Sequence, residues 1–246
     1  MSAPSAPPLE AASGAGGTAW HTVSVVKLFE LQGVDQQRGL TTEEAAARRA
    51  QFGANRLAEG AKEPGWHAFL RQYADPMQIV LVVAGIGSLY PVKAYGTGLI
   101  ILLLTLFNAV IGLHQEGKAA AAVAALQQMM FIKARVRRDG QLAELAAEEL
   151  VPGDVVSIEA GDVVPADGRI VRAATLEVAE AALTGESLPV AKGAEAVEAP
   201  DTPLGDRTDM VYMNTSVTRG SGEYVVTATG MATEVGHISG MLQRQD

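Results

Sequence analysis

Apolar and polar positions follow three successive patterns along the chain. Between Trp20 and Trp66 the spacing is helical: Val25, Val26, Leu28, Phe29 and Leu31 cluster and stop at Gly33. Thr41 and Glu44 have the spacing of a capping box, which predicts a helix to about Phe52, ended by Gly53. Two short helices bury too little surface to stand alone, so this segment is expected to pack as a cap on another part of the chain.

The second pattern is continuous apolarity. Met77 to Tyr90 and Tyr95 to Leu113 contain no Asp, Glu, Lys or Arg. The second run approaches the roughly 20 residues that cross a bilayer and is apolar on all sides, unlike a surface helix. The first is short for a full span unless Pro91 and Val92 extend it. With only Pro91-Val92-Lys93-Ala94 between them, the two form a tight hairpin. Arg71 precedes it and Lys118, Lys133, Arg135, Arg137 and Arg138 follow, whereas the turn holds one lysine. That bias places both ends in the cytosol. Charges inside a span would mark an ion pathway, so the hairpin is not expected to supply the main ion ligands. Thr105 and Asn108 are expected to pack helices. Gln115 to Met130 has one Gly and no Pro, which favours a continuous helix from Tyr95, about 54 Å long at 1.5 Å per residue.

From Ile132 the period changes to that of strands. Val155–Ile158, Arg169–Val171, Met210–Met213 and Glu223–Thr229 alternate with turn signals such as Asp139-Gly140, Pro152-Gly153-Asp154, Gly161-Asp162 and Asp167-Gly168. Many short strands with such turns predict an antiparallel β domain, a barrel or jelly roll. After Thr233 the pattern is helical again. The whole is an α+β membrane protein in outline.

Composition narrows the chemistry. A net charge of −9 argues against a nucleic-acid partner. With no cysteine, disulfides, thiolate metal sites and cysteine nucleophiles are excluded. His21, His67, His114 and His237 lack metal-ligand spacing and are expected at the surface or an interface, so no metal site is assigned. Residues 1–19, rich in Ala, Pro, Ser and Gly, lack the basic start and apolar run of a secretory signal and read as a disordered tail.

Candidate chemistry concentrates in Leu183-Thr184-Gly185-Glu186-Ser187-Leu188-Pro189-Val190. Gly185 permits a tight turn, and a hydroxyl residue lies on each side of the Gly185-Glu186 pair. A carboxylate presented this way suits positioning and deprotonating a water molecule. Lys192-Gly193-Ala194-Glu195 just beyond is expected to be a surface turn.

These strings, taken in order, resemble the P-type cation-transporting ATPases. Gly39-Leu40-Thr41 through Phe52-Gly53-Ala54-Asn55-Arg56-Leu57 resembles the family's N-terminal cation-transporter segment, and Asp75-Pro76-Met77 the approach to its first membrane helix. Asn108-Ala109-Val110-Ile111-Gly112 with Gln115-Glu116 and Lys118-Ala119 resembles the second helix and its cytosolic extension. Glu149 to Val156, Gly161 to Gly168, Thr184-Gly185-Glu186-Ser187, Thr229-Gly230 and Thr233 to Gly236 follow in the order of the actuator domain. The resemblance covers the chain from Trp20 onward, after the tail at 1–19, and implies the N-terminal helical segment at 20–66 and the transmembrane hairpin with its extension at 67–130. It further implies a jelly-roll-like actuator domain at 131–235 and the start of a linker toward a third membrane helix at 236–246. It favours the calcium and sodium/potassium branch over heavy-metal pumps, whose Cys motif is absent, leaves proton pumps open, and does not name the cation.

In this family ATP phosphorylates an aspartate of a separate domain, and the actuator glutamate positions the water that hydrolyses that phosphate. The resemblance carries this role to Glu186, with Thr184, Gly185 and Ser187 shaping the loop. It implies a plasma-membrane pump with N-terminus and actuator domain cytosolic. The implied partners are lipid, the transported cation, and phosphorylation and nucleotide-binding domains supplied in cis or in trans. ATP and Mg2+ would serve the complete pump. The Asp-Lys-Thr-Gly-Thr phosphorylation motif is absent from these 246 residues, so the chain alone is expected to bind neither and to be inactive. Ala179-Glu180-Ala181 stands where the family often has Asp-Glu-Ser, removing a capping carboxylate and hydroxyl before the loop. A non-catalytic membrane protein, or a regulator docking on an intact pump, is the alternative reading.

Overall fold

The computed structural model describes residues 18–58, 65–90, 94–129 and 132–243. The expected tail up to residue 17 and the centre of the expected hairpin turn, residues 91–93, lie outside the described residues. The chain forms two compact units, dividing after Ala58 and before Ile132.

The first unit begins with α1 (Val25–Gln32), whose N-cap Ser24 accepts from the Lys27 N–H. Gly33 closes it at φ 60°, in the left-handed conformation that favours glycine. In α2 (Thr42–Phe52) the capping box forms as expected: Thr41 Oγ1 accepts from the Glu44 N–H at 3.1 Å, and Glu44 Oε2 accepts from the Thr41 N–H at 2.8 Å.

The rest of this unit is one seven-stranded sheet in which every paired strand is antiparallel. Its strands are β1 (Lys133–Arg138), β2 (Gln141–Ala146), β3 (Val155–Glu159), β4 (Asp167–Ala179), β5 (Val190–Ala191), β6 (Met210–Val211) and β7 (Ser216–Ala228). The order is β2-β1-β3-β7-β4-β5, with β6 on β4, so the antiparallel class is as expected while the barrel alternative is not realised. The β1–β2 hairpin turns at Asp139-Gly140, a turn signal whose flanking strands the apolar pattern did not mark. The long strands β4 and β7 pair through several register shifts, one between Ala174 and Glu177. There Gly220 adopts φ 74°, and a Cβ on it would lie 2.2 Å from the Thr175 carbonyl oxygen.

Alternation along the strands explains how the helical cap attaches. Val156, Ile158, Tyr224 and Val226 point into the main core with Val136, Ile170 and Val178. Val155 and Val225 point the other way and pack with Leu28, Phe29, Leu40 and Ala45 of the N-terminal segment. Adjacent valines therefore serve two cores. Arg48 adds one bond across this seam, to the Pro152 carbonyl at 2.8 Å, and one within the cap, to the Gln32 carbonyl at 2.6 Å.

The second unit holds α3 (Gly65–Gln72), α4 (Pro76–Leu89) and α5 (Tyr95–Met129). Asp75 caps α4 by accepting from the N–H groups of Met77 and Gln78, with Pro76 at the first position where its missing donor is harmless. Its 14 residues span about 21 Å, short of the roughly 30 Å hydrocarbon layer. Within α5, Tyr95–Ala119 is long and apolar enough to cross a membrane by length and composition. Instead of two spans of full length, the described residues hold one such helix and a shorter apolar partner. They meet at glycines: a Cβ on Gly98 would sit 2.9 Å from the Gly85 carbonyl oxygen. Thr105 is buried, but its hydroxyl donates within its own helix, to Leu102 O at 2.8 Å. Asn108 is exposed, contrary to expectation, because it falls off the Gly98-Leu102-Thr105-Ala109 stripe. Below the apolar stretch, Glu116 of α5 binds Arg71 and Gln72 of α3.

Candidate functional site

β4 ends at Ala179, and the chain turns once through α6 (Ala181–Thr184) before the loop. The turn forms without the capping Asp and Ser. The Glu180 carbonyl accepts from the N–H groups of Leu183 at 2.9 Å and Thr184 at 3.0 Å, and from Thr184 Oγ1 at 3.1 Å. Gly185 then adopts φ 78°, ψ −2°, returning its N–H to the Ala181 carbonyl. Thr184 Oγ1 in turn accepts from the Glu186 N–H at 3.3 Å. Thr184 and Gly185 therefore shape the turn by named bonds, and Glu186 and Ser187 stand exposed beyond it. Leu188, 79% exposed, continues the protrusion. β5 brings the chain back to the strand it left, pairing Glu177 with Ala191 and Val178 with Val190.

Beneath the loop lies a feature that sequence reading missed. Glu180 Oε1 and Lys192 Nζ are 2.7 Å apart, and both side chains are wholly buried. The expected surface turn at Lys192–Glu195 is thus corrected at its first residue: only pairing lets an ammonium be buried this fully. Lys192 also donates to the Arg207 carbonyl at 3.2 Å and lies 5.7 Å from the centre of the Tyr212 ring. Burial pushes the Glu180 carboxyl up, Lys192 opposes that shift, and the Glu186 charge adds to it. Burial lowers Lys192 against the attraction of Glu180. A second buried pair, Arg169 Nε to Asp209 Oδ2 at 2.8 Å, ties β4 to the segment before β6. Arg169 also donates to the carbonyls of Ile170 and Ala194. The only sequence signal for either pair was a charged residue beside a strand, which ordinarily means a solvated edge.

Two further buried groups stand nearby. Asp167 accepts from the N–H of Met213 at 2.7 Å and from that of Glu234 at 2.8 Å, at the start of α7 (Glu234–Gln243). Burial pushes its carboxyl up to about 7, against the pull of those two bonds. His21, expected at a surface or interface, is buried, with Nε2 at 3.2 and 3.1 Å from the carbonyls of Ala199 and Pro200. It holds the N-terminal segment against the segment that follows Lys192.

ATP with Mg2+ needs unpaired basic groups around its phosphates. In one cavity on the sheet, Lys133 is paired with Glu144 and Arg135 with Glu159 and Asp162. In another, Arg137 is paired with Glu223, which leaves Arg172 alone among the described lining residues to meet a phosphate. A polyphosphate would meet carboxylates in both, so these residues do not fit it.

Comparison with known proteins agrees with this geometry. Residues 128–243 match the family model of the P-type ATPase actuator domain, and residues 20–88 that of the cation transporter/ATPase N-terminus. Calcium-transporting ATPase 1 of Bacillus cereus is 41% identical over 225 residues, covering 89% of this chain and 25% of the relative. The calcium-transporting ATPase of Bacillus subtilis is 38% identical over 224 residues, covering 91% and 25%. Probable cation-transporting ATPase F of Mycobacterium bovis is 41% identical over 228 residues, covering 92% and 25%. The chain spans about a quarter of the length of these relatives. With two family models matched in order, and a helical cap seated on the antiparallel sheet that carries the Thr184–Ser187 loop, the chain belongs to the P-type cation-transporting ATPases, in the region of their N-terminal segment and actuator domain.

Proposed function

We propose that this chain forms the N-terminal part of a pump that couples ATP hydrolysis to cation transport, and that Glu186 serves dephosphorylation. The observation that carries this reading is the exposed Glu186 carboxylate at the tip of a loop anchored at both ends to β4. At an aspartyl phosphate of a separate domain, Glu186 orients a water and takes its proton. The water oxygen bonds to phosphorus, the bond from phosphorus to the aspartyl oxygen breaks, and inorganic phosphate and free aspartate result. Thr184, Gly185 and Ser187 hold the loop in presenting form. ATP and Mg2+ act at domains beyond these residues, in cis or in trans.

In this proposal α4 and α5 form a hairpin in the plasma membrane, with the helical cap and the actuator domain cytosolic. The names of the relatives make calcium the first cation to test. In a complete pump carrying this sequence, Glu186→Gln should form phosphoenzyme from ATP at the normal rate and hydrolyse it at least 100-fold more slowly, within the range ascribed to general bases. Acid-quenched phosphoenzyme decay measures this, and normal decay would remove Glu186 from the mechanism.

A further inference from the structure

The loop that carries Glu186 leaves β4 at Ala179 and returns to it through β5, so the rigidity of its tip depends on how its two ends are joined. Backbone pairing at the return is brief, since β5 has two residues. Glu180 and Lys192 stand at the two ends, one residue before α6 and one after β5. Their side chains meet at 2.7 Å with no solvent exposure.

Each partner is joined to more than the other. The Glu180 carbonyl accepts from the N–H groups of Leu183 and Thr184 in the α6 turn and from the Thr184 hydroxyl, whose oxygen in turn receives the Glu186 N–H. Lys192 reaches the Arg207 carbonyl and faces Tyr212, whose hydroxyl donates to Leu204 O at 3.4 Å. From that same segment Gly205 backs the Thr184 side chain closely: an added Cβ would lie 3.3 Å from Thr184 Cγ2, a tight contact. A chain of contacts therefore runs from the neck of the loop to the backbone of Glu186.

We infer that Glu180 and Lys192 are positioning residues, a buried ionic clasp across the loop's neck that sets where the Glu186 carboxylate points. Neither reaches the surface, so neither touches the phosphorylated partner. They act through Thr184 and Gly185. The clasp takes the place of side-chain caps at residues 179 and 181, both alanine in this chain. A buried pair also resists change in a specific way: breaking it from one side strands a charge, whereas removing both charges together does not.

This inference rests on the reading of Glu186 given above, and the test separates the two. In a complete pump carrying this sequence, the rates of phosphoenzyme formation and decay are compared for wild type, Glu186→Gln, and the double variant Glu180→Gln/Lys192→Met. The double variant empties the clasp of charge without leaving an unpaired ion buried. It should form phosphoenzyme within twofold of the wild-type rate and decay at least tenfold more slowly. A loss that were merely structural would lower both rates together, which would overturn the inference. Decay within twofold of wild type, with Glu186→Gln slow, would overturn it as well. If Glu186→Gln itself decays normally, the reading of the site has failed and the inference falls with it. Should the double variant not fold, Glu180→Asp alone decides. It keeps the charge for Lys192 but shortens the reach across the neck, so decay should slow three- to tenfold with formation unchanged, and wild-type decay would overturn the inference.

Discussion

Asn55 uses all of its polar atoms. Its Nδ2 donates to the carbonyls of Ala147 at 2.9 Å and Pro165 at 2.8 Å, and its Oδ1 accepts from the Gly230 N–H at 2.8 Å. Asn55→Ala strands the Pro165 carbonyl and the Gly230 N–H, while the Ala147 carbonyl keeps the Leu150 N–H, and should cost about 2–4 kcal/mol, at 1–3 kcal/mol per stranded group with partial relaxation. Urea unfolding followed through Trp20, in a Trp66→Phe background, measures it. Asp167 gives a pH signature in the same assay. Its carboxyl is pushed up to about 7 in the fold from an ordinary 3.8. Between those values the folded chain holds a proton that the unfolded chain has released. Its contribution is therefore full at acid pH and is lost as pH rises through 7, on the order of 4 kcal/mol at most. Asp167→Asn should flatten unfolding stability between pH 5 and 7.5. An equal slope in both proteins would refute the assignment.

Elements show how much the sequence could disclose. Helix boundaries were legible where local chemistry sets them: Gly33 and Gly53 as stops, the Thr41/Glu44 box as a start, and uninterrupted helix formers carrying α5 to Met129. Runs rich in valine and isoleucine marked β3, the start of β4 and the end of β7, but not the rest of those two long strands. The β1–β2 hairpin was not marked, because Gln141–Ala146 is mostly exposed and lacks β-branched residues, so only pairing with β1 makes it a strand. At the site, the exposed carboxylate was readable and its foundation was not. Glu180 meets Lys192, and Arg169 meets Asp209, only after distant segments converge, and a lone charge gives no hint of its partner. Glycine shows the same division between local and tertiary causes. Gly140 and Gly220 share positive φ, 76° and 74°, but a Cβ on Gly140 meets nothing within 4 Å, whereas on Gly220 it meets the carbonyls of Thr175 and Ala174. Gly140→Asn should cost under about 1 kcal/mol, since asparagine tolerates this conformation. Gly220→Ala should cost more than about 2 kcal/mol, because strain adds to a backbone collision. Equal costs in the urea assay would show that β4 and β7 shift freely at the bulge.

At the scale of the molecule, the order of segments constrains the proposed membrane topology. The first unit contains residues from both sides of the apolar helices: Leu28 and Leu40 share a core with Val151 and Val225. A core cannot form across a bilayer, so the chain between Ala58 and Ile132 must cross an even number of times, or not at all. If α5 spans, α4 must span too, although its 14 residues fall about 9 Å short of an average hydrocarbon layer. Local thinning of the bilayer or a few flanking residues can absorb such a mismatch at modest cost. Because the chain has no cysteine, single introduced cysteines can be labelled without background. In intact cells a membrane-impermeant maleimide should modify Ala94→Cys, between the helices, and spare both Val26→Cys and Leu188→Cys. The latter two positions are 71% and 79% exposed, so both should react once the membrane is opened. Labelling of Ala94→Cys only after opening would mean that neither helix crosses. Labelling of Val26→Cys but not Leu188→Cys in intact cells would mean a single crossing, and the shared core of the first unit could not then exist in the membrane-bound protein.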